Sequence, residues 1–100
     1  MFPPWPVAQV ETEKRRLEVI VRLAHTPGYE LSAMLLREHC RAVGVPTNTD
    51  QMSGCLAWLA EQMLVLLKGS EDSPVARLTP LGRETALGHR RHPGVMQPDP

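Results

Sequence analysis

Proline sets the strongest constraint on this chain. The sequence holds ten, and each fixes φ near about −65° and lacks the N–H that an interior helix or ladder bond needs. Six fall in the first six and last eight residues, so both ends read as extended and poorly packed. Pro27, Pro46, Pro74 and Pro80 cut the interior where the hydrophobic period also changes, so they mark element boundaries. The chain therefore divides into an extended arm over residues 1–9, one folded domain over 10–91 and an extended tail over 92–100. A hundred residues leave little room for a second core.

Three segments carry helical periodicity. In the first, Val10, Leu17, Ile20, Val21 and Ala24 form one apolar stripe. Glu11, Lys14, Arg15, Glu18 and Arg22 make its charged face. Glu11 stands four residues before Arg15 and Glu18 four before Arg22, pairs that suit a solvated helix surface. The second segment runs from about Glu30 to Val43, with Leu31, Met34, Leu35, Glu38 and Ala42 at helical spacing and Gly44 as its left-handed cap. The third runs to about Gln62. Asn48 opens it, with Gln51 completing a capping box, and Met52, Cys55, Leu56, Leu59 and Met63 form its buried stripe.

The period then changes. Leu64 to Leu67 is a continuous apolar run, the turn set from Gly69 to Pro74 follows, and Val75 to Leu78 returns. That pattern is a hairpin. Thr79 caps a last helix with Pro80 at its favoured first position. The predicted class is mainly α with a small β-hairpin, in the order α-α-α-β-β-α, which is the plan of a winged helix-turn-helix.

Two phrases strengthen this reading: Leu56-Ala57-Trp58-Leu59-Ala60-Glu61-Gln62-Met63-Leu64-Val65 and Val75-Ala76-Arg77-Leu78-Thr79-Pro80-Leu81-Gly82. Together they resemble the third helix, wing and fourth helix of bacterial winged-helix regulators of the arsenical-repressor type. Within that superfamily the chain looks most like a small winged-helix protein of Mu-like phages and prophages. The resemblance spans about Leu17 to Pro98, including His25-Thr26-Pro27-Gly28-Tyr29 and Arg91-His92-Pro93-Gly94-Val95. It implies DNA binding, usually as a dimer. Two departures stand out. Many relatives have glycine where this chain has Met63, at a turn where a positive φ suits glycine. Metal-sensing members carry closely spaced cysteines on the third helix, where this chain has Cys55 alone, so metal sensing does not carry over.

If the third helix enters a major groove, its N-terminal residues meet the base edges. Asn48 and Gln51 are candidate base readers, and Thr49 and Ser53 candidate partners of phosphate or base. Capping alone is the competing role for Asn48 and Gln51. Gly54 and Ala57 permit close approach of another surface. Cationic help has to come from the flanks, from Arg37 and Arg41 on the second helix and Lys68 and Arg77 on the two wing strands. Opposing features are Asp50 on the helix and Glu71 and Asp72 in the wing turn. The eleven basic residues are balanced by eleven acidic ones, so bulk charge supplies no grip on a polyanion.

Other classes fit poorly. Cys40 and Cys55 read as buried thiols rather than a zinc pair. His39 beside Cys40, and His89 with His92, are better explained by helix-end capping than by metal. The sequence has no phosphate-cradling glycine loop, nucleophile elbow or HExxH helix, so no enzyme and no cofactor is expected. No apolar run approaches the roughly 18 residues of a membrane span, and the start lacks a signal peptide's pattern, which predicts a soluble, cytoplasmic protein of the bacterial host cell. Trp58 is expected against the wing. Trp5, on the proline-stiffened arm with Phe2, folds back on the domain or docks on a second subunit.

The resulting expectation is a phage or prophage winged-helix protein that binds DNA as a homodimer and regulates transcription. Its rival is the same fold serving as a protein–protein interaction module, an adaptor or assembly factor with a phage or host partner and no DNA.

Overall fold

The computed structural model describes residues 7–98. The elements are α1 (Val7–Ala24), a 3-10 turn (Pro27–Tyr29), β1 (Glu30–Ser32), α2 (Ala33–Ala42), α3 (Thr49–Glu61), β2 (Val65–Gly69), β3 (Pro74–Leu78) and α4 (Pro80–Ala86). Helix, helix, helix, hairpin, helix is the expected order, and the arrangement is winged-helix-like. The sheet is larger than a hairpin. It is antiparallel with three strands in the order β1-β3-β2, Glu30 opposite Arg77 and Leu66 also opposite Arg77. β1 replaces the expected first turn of the second helix. Gly28 and Tyr29 take φ of 80° and 60°, which swings the chain onto β3, and Ser32 then caps α2 by accepting from the Leu35 N–H.

One core joins these elements. Leu17, Val19, Ile20 and Leu23 of α1 meet Leu36 and Cys40 of α2, Met52, Cys55, Leu56 and Leu59 of α3, and Val65, Ala76 and Leu78 of the sheet. Each fully buried Leu or Ile contributes about 1.5–3 kcal/mol over its exposed state. The expected stripe of the second helix is rotated. Leu36 and Cys40 are buried, whereas Met34, Leu35 and Glu38 face solvent. A helix starting at Ala33 presents a different side from one starting at Glu30. Arg15 is a second correction: it is buried, donating to the Thr47 hydroxyl at 3.0 Å and to the Pro46 carbonyl.

Three helices end in the same motif. In α2 the N–H groups of Gly44 and Val45 bond Arg41 and Cys40 carbonyls; in α4 those of Gly88 and His89 bond Thr85 and Glu84. In α3 the donors are Met63 and Leu64, to Ala60 and Leu59. This cap requires a left-handed residue. Glycine supplies it twice, and Met63, with φ of 62° and its side chain exposed, supplies it once.

The terminal segments depart from expectation. α1 already begins at Val7, so residues 7–9 are helical; Phe2 and Trp5 lie outside the described residues. The tail packs back on the domain. Arg16 donates to the Gly94 carbonyl at 2.9 Å, and the Met96 N–H bonds the Glu13 carbonyl. Trp58 is therefore half-buried under the tail rather than against the wing, with the Arg16 guanidinium 3.8 Å above its ring and His92 edge-on at 5.6 Å. Gly94 leaves room for this ring, because a Cβ there would meet it at 2.7 Å.

Candidate nucleic-acid interface

α3 is set by its ends. The Asn48 Oδ1 accepts from the Gln51 N–H at 2.7 Å, and the Gln51 Oε1 accepts from the Asn48 N–H at 2.8 Å. The capping box is complete. It also narrows what these two residues offer a ligand, because a bidentate contact to adenine needs an amide oxygen and an amide N–H together. Both oxygens are engaged, and the –NH₂ donors remain.

With Met52, Cys55, Leu56 and Leu59 turned inward, α3 exposes Thr49, Asp50, Gln51, Ser53, Gly54 and Ala57. Gly54 has ordinary helical backbone, and nothing lies within 4 Å of where its Cβ would sit. A mid-helix glycine costs about 1 kcal/mol relative to alanine, and no packing among the described residues accounts for it.

The eight candidate residues do not share one place. Arg37, Thr49 and Ser53 line an open cleft of about 360 Å³ between the starts of α2 and α3 and the wing turn. Glu71 and Asp72 line the same cleft from the turn, so the acidic tip faces the third helix directly. Asn48 and Gln51 cap α3 at its edge. Arg41 lies along α2, where it and Arg37 both approach the Glu38 carboxylate at 3.4 Å. Lys68 and Arg77 stand on the outer face of the sheet and share Glu30, at 2.9 and 3.4 Å.

Each pair of candidate cations is thus compensated by one carboxylate, which halves the net charge offered to phosphate. Hydrogen bonding from Lys68, reinforced by Arg77, holds the Glu30 carboxyl below its ordinary value. Glu38 is legible in sequence, three positions from Arg41. Glu30 is not, because its role depends on the unforeseen strand β1. These ion pairs are exposed, and pairs of that kind contribute roughly 0–1 kcal/mol, so a phosphate can displace them.

Among the described residues no group of three or more His, Cys, Asp or Glu is placed to hold a metal ion. His39 bonds Glu18 through Nε2 at 3.1 Å. No helix is long and apolar enough to cross a membrane, again among the described residues. Both cysteines are free and buried, and burial pushes the Cys40 thiol up to about 11 and that of Cys55 to about 12.

No protein-family model matches the chain, and no solved structure matches it. Over 94 residues, 94% of this chain and 97% of the relative, it is 34% identical to the uncharacterized protein gp26 of Escherichia phage Mu.

Proposed function

The chain belongs to the same family as gp26 of Escherichia phage Mu, and from that premise we propose that it is a winged-helix DNA-binding protein of phage or prophage origin, a transcription regulator working as a homodimer in the host cytoplasm. One observation carries this reading. The start of α2, the start of α3 and the wing turn converge on a single open cleft, as a helix-turn-helix with a wing needs if all three are to meet one duplex.

In this reading α3 enters the major groove. Thr49, Ser53 and the amide donors of Asn48 and Gln51 reach base edges or phosphates, and Arg37 and Arg41 neutralise phosphate. Lys68 and Arg77 contribute less, because they stand on the outer face of the sheet and do not line the cleft. Two phosphate contacts give a shallow salt slope, near −1.8 at about 0.9 per contact. Fluorescence anisotropy with fragments of phage DNA tests this. Binding at low salt, with that slope, and its loss in Arg37→Ala/Arg41→Ala supports the reading; no binding at about 20 mM salt ends it.

A second reading is favoured by the acidic cleft wall. Glu71 and Asp72 would repel phosphate and attract a basic protein segment, making the chain an interaction module of phage assembly or an adaptor. Glu71→Gln/Asp72→Asn separates the two. It strengthens binding to DNA and weakens binding to a cationic protein partner.

A further inference from the structure

A second groove opens at the base of the wing, on the outer face of the sheet where α4 leaves it. Its volume is about 570 Å³, and Tyr29, Leu66, Pro80, Arg83 and Leu87 line it. From the Gly69–Pro74 end of the hairpin to the Val65–Leu78 end is four residue steps, or about 13 Å. The groove is thus distinct from the cleft at the wing turn.

Three features mark it as a docking surface. The strand β2 lies at the edge of the sheet, and a strand edge is a row of unpaired N–H and C=O groups ready to pair with another chain. On that edge Leu66 and Leu67 are 55% and 41% exposed, one on each face, and Leu87 across the groove is 46% exposed. The charge is also one-sided. Lys68 and Arg77 share the single carboxylate of Glu30, and Glu84 turns to Arg90 at 3.7 Å. Arg83 forms no ion pair among the described residues; its guanidinium stands 5.3 Å from the Tyr29 ring centre. Tyr29 itself holds a left-handed backbone, a conformation that costs a non-glycine residue about 1–2 kcal/mol and sets its ring against Arg83.

We propose that this surface binds a short, extended, acidic and apolar segment of a partner protein, which adds to the sheet along β2. Its backbone pairs with the edge from Leu66 to Gly69. A strand laid there places alternate side chains on the outer face beside Leu66, so an apolar side chain enters between Leu66 and Leu87. A carboxylate on the segment meets Arg83 and supplies the complementary charge that no group among the described residues supplies. The proposal does not need the DNA reading, since Leu66, Arg83 and Leu87 line this groove and not the cleft at the wing turn.

The test is an NMR titration of the full chain labelled with ¹⁵N, using two synthetic peptides that carry the apolar and the charged side chain two positions apart and so on one face of a strand, acetyl-Ser-Leu-Ser-Glu-Ser-amide and acetyl-Ser-Leu-Ser-Lys-Ser-amide, with octanoate as a small carboxylate. The acidic peptide is expected to shift the amides of Leu66 to Gly69 and of Arg83, and to bind at least about tenfold more tightly than the basic one. Arg83→Ala weakens it about fivefold, and Leu66→Ser, at an exposed position, weakens it comparably while the rest of the spectrum is preserved. Several results overturn the proposal: equal binding of the two peptides, shifts confined to α3, or no shifts up to about 2 mM peptide. Octanoate binding as tightly as the peptide assigns the groove to a small ligand instead. Shifts of the β2 amides with protein concentration alone assign the edge to a second copy of this chain.

Discussion

Arg15 on α1 donates its Nε proton to the hydroxyl of Thr47 at 3.0 Å, and Thr47 in turn donates to the Val45 carbonyl at 2.9 Å. A second Arg15 donor bonds the Pro46 carbonyl. The turn that joins α2 to α3 is therefore held from outside by the first helix. α1 thus fixes where α3 begins, and the candidate interface depends on that position.

Replacing Arg15 with methionine removes two charge-assisted bonds and leaves the Pro46 carbonyl and Thr47 hydroxyl short of donors. Arg15→Met should cost about 2–3 kcal/mol and Thr47→Val about 1 kcal/mol, read from urea denaturation. If the pair acts as a unit, the double variant loses less than the sum. Additive losses would place the two residues in separate roles.

Met63 offers the reverse experiment. Its left-handed backbone is the same one that Gly44 and Gly88 supply at the ends of α2 and α4, and its side chain is exposed, so little packing is lost by removing it. Met63→Gly should raise stability by about 1 kcal/mol, after the extra flexibility of an unfolded glycine is deducted. An unchanged or lower thermal midpoint would show that the methionine side chain is used after all.

The tail should behave as part of the domain. Truncation after Arg91 removes His92, Gly94 and the partly buried Val95 and Met96, and it uncovers Trp58. Loss of stability should be about 1–3 kcal/mol, with a red shift in tryptophan emission. Arg16→Ala should give a smaller part of the same loss through its place over the ring, about 0.5–2 kcal/mol.

Both thiols should be inert in the native protein. With values near 11 for Cys40 and 12 for Cys55, each remains protonated in the fold where an unfolded thiol, near 9, would ionise. The sign follows directly. These values are raised on folding, so the stability they contribute is complete below about pH 9 and is lost as pH climbs through 9 towards 11 and beyond. Thiol labelling at pH 7.5 should proceed only through unfolding, and the denaturation midpoint should fall above pH 9. Fast labelling of native protein would contradict the burial of either residue.

Some of this was open to reading from the chain alone, and the reason is range. The capping box of Asn48 and Gln51, the Thr79-Pro80 start of α4, the wing turn and the inward stripe of α3 from Met52 to Leu59 all rest on residues within a few positions of one another, whereas Met63, expected on that stripe, lies past the helix end and is exposed. Local backbone chemistry specifies them whatever the rest of the molecule does. The glycine-like demand at Met63 comes instead from the resemblance, in which many relatives have glycine at that position. The spacing of Arg37 and Arg41 puts both on one helix, but it also puts the Glu38 between them, which takes up half their charge, on the apolar stripe, whereas the fold exposes it.

What only the folded chain decided are the partnerships across distance. Arg15 meets Thr47 across 32 residues, Arg77 meets Glu30 across 47 and Arg16 meets Gly94 across 78. A three-residue strand such as β1 is too short to show alternation, and it exists only because β3 offers it a ladder. An arginine reads as solvated until a turn from elsewhere presents a carbonyl and a hydroxyl to it. Sequence spacing encodes which side chains a segment turns inward; the partner each one finds, and the charge left over for a ligand, are set when distant segments are packed together.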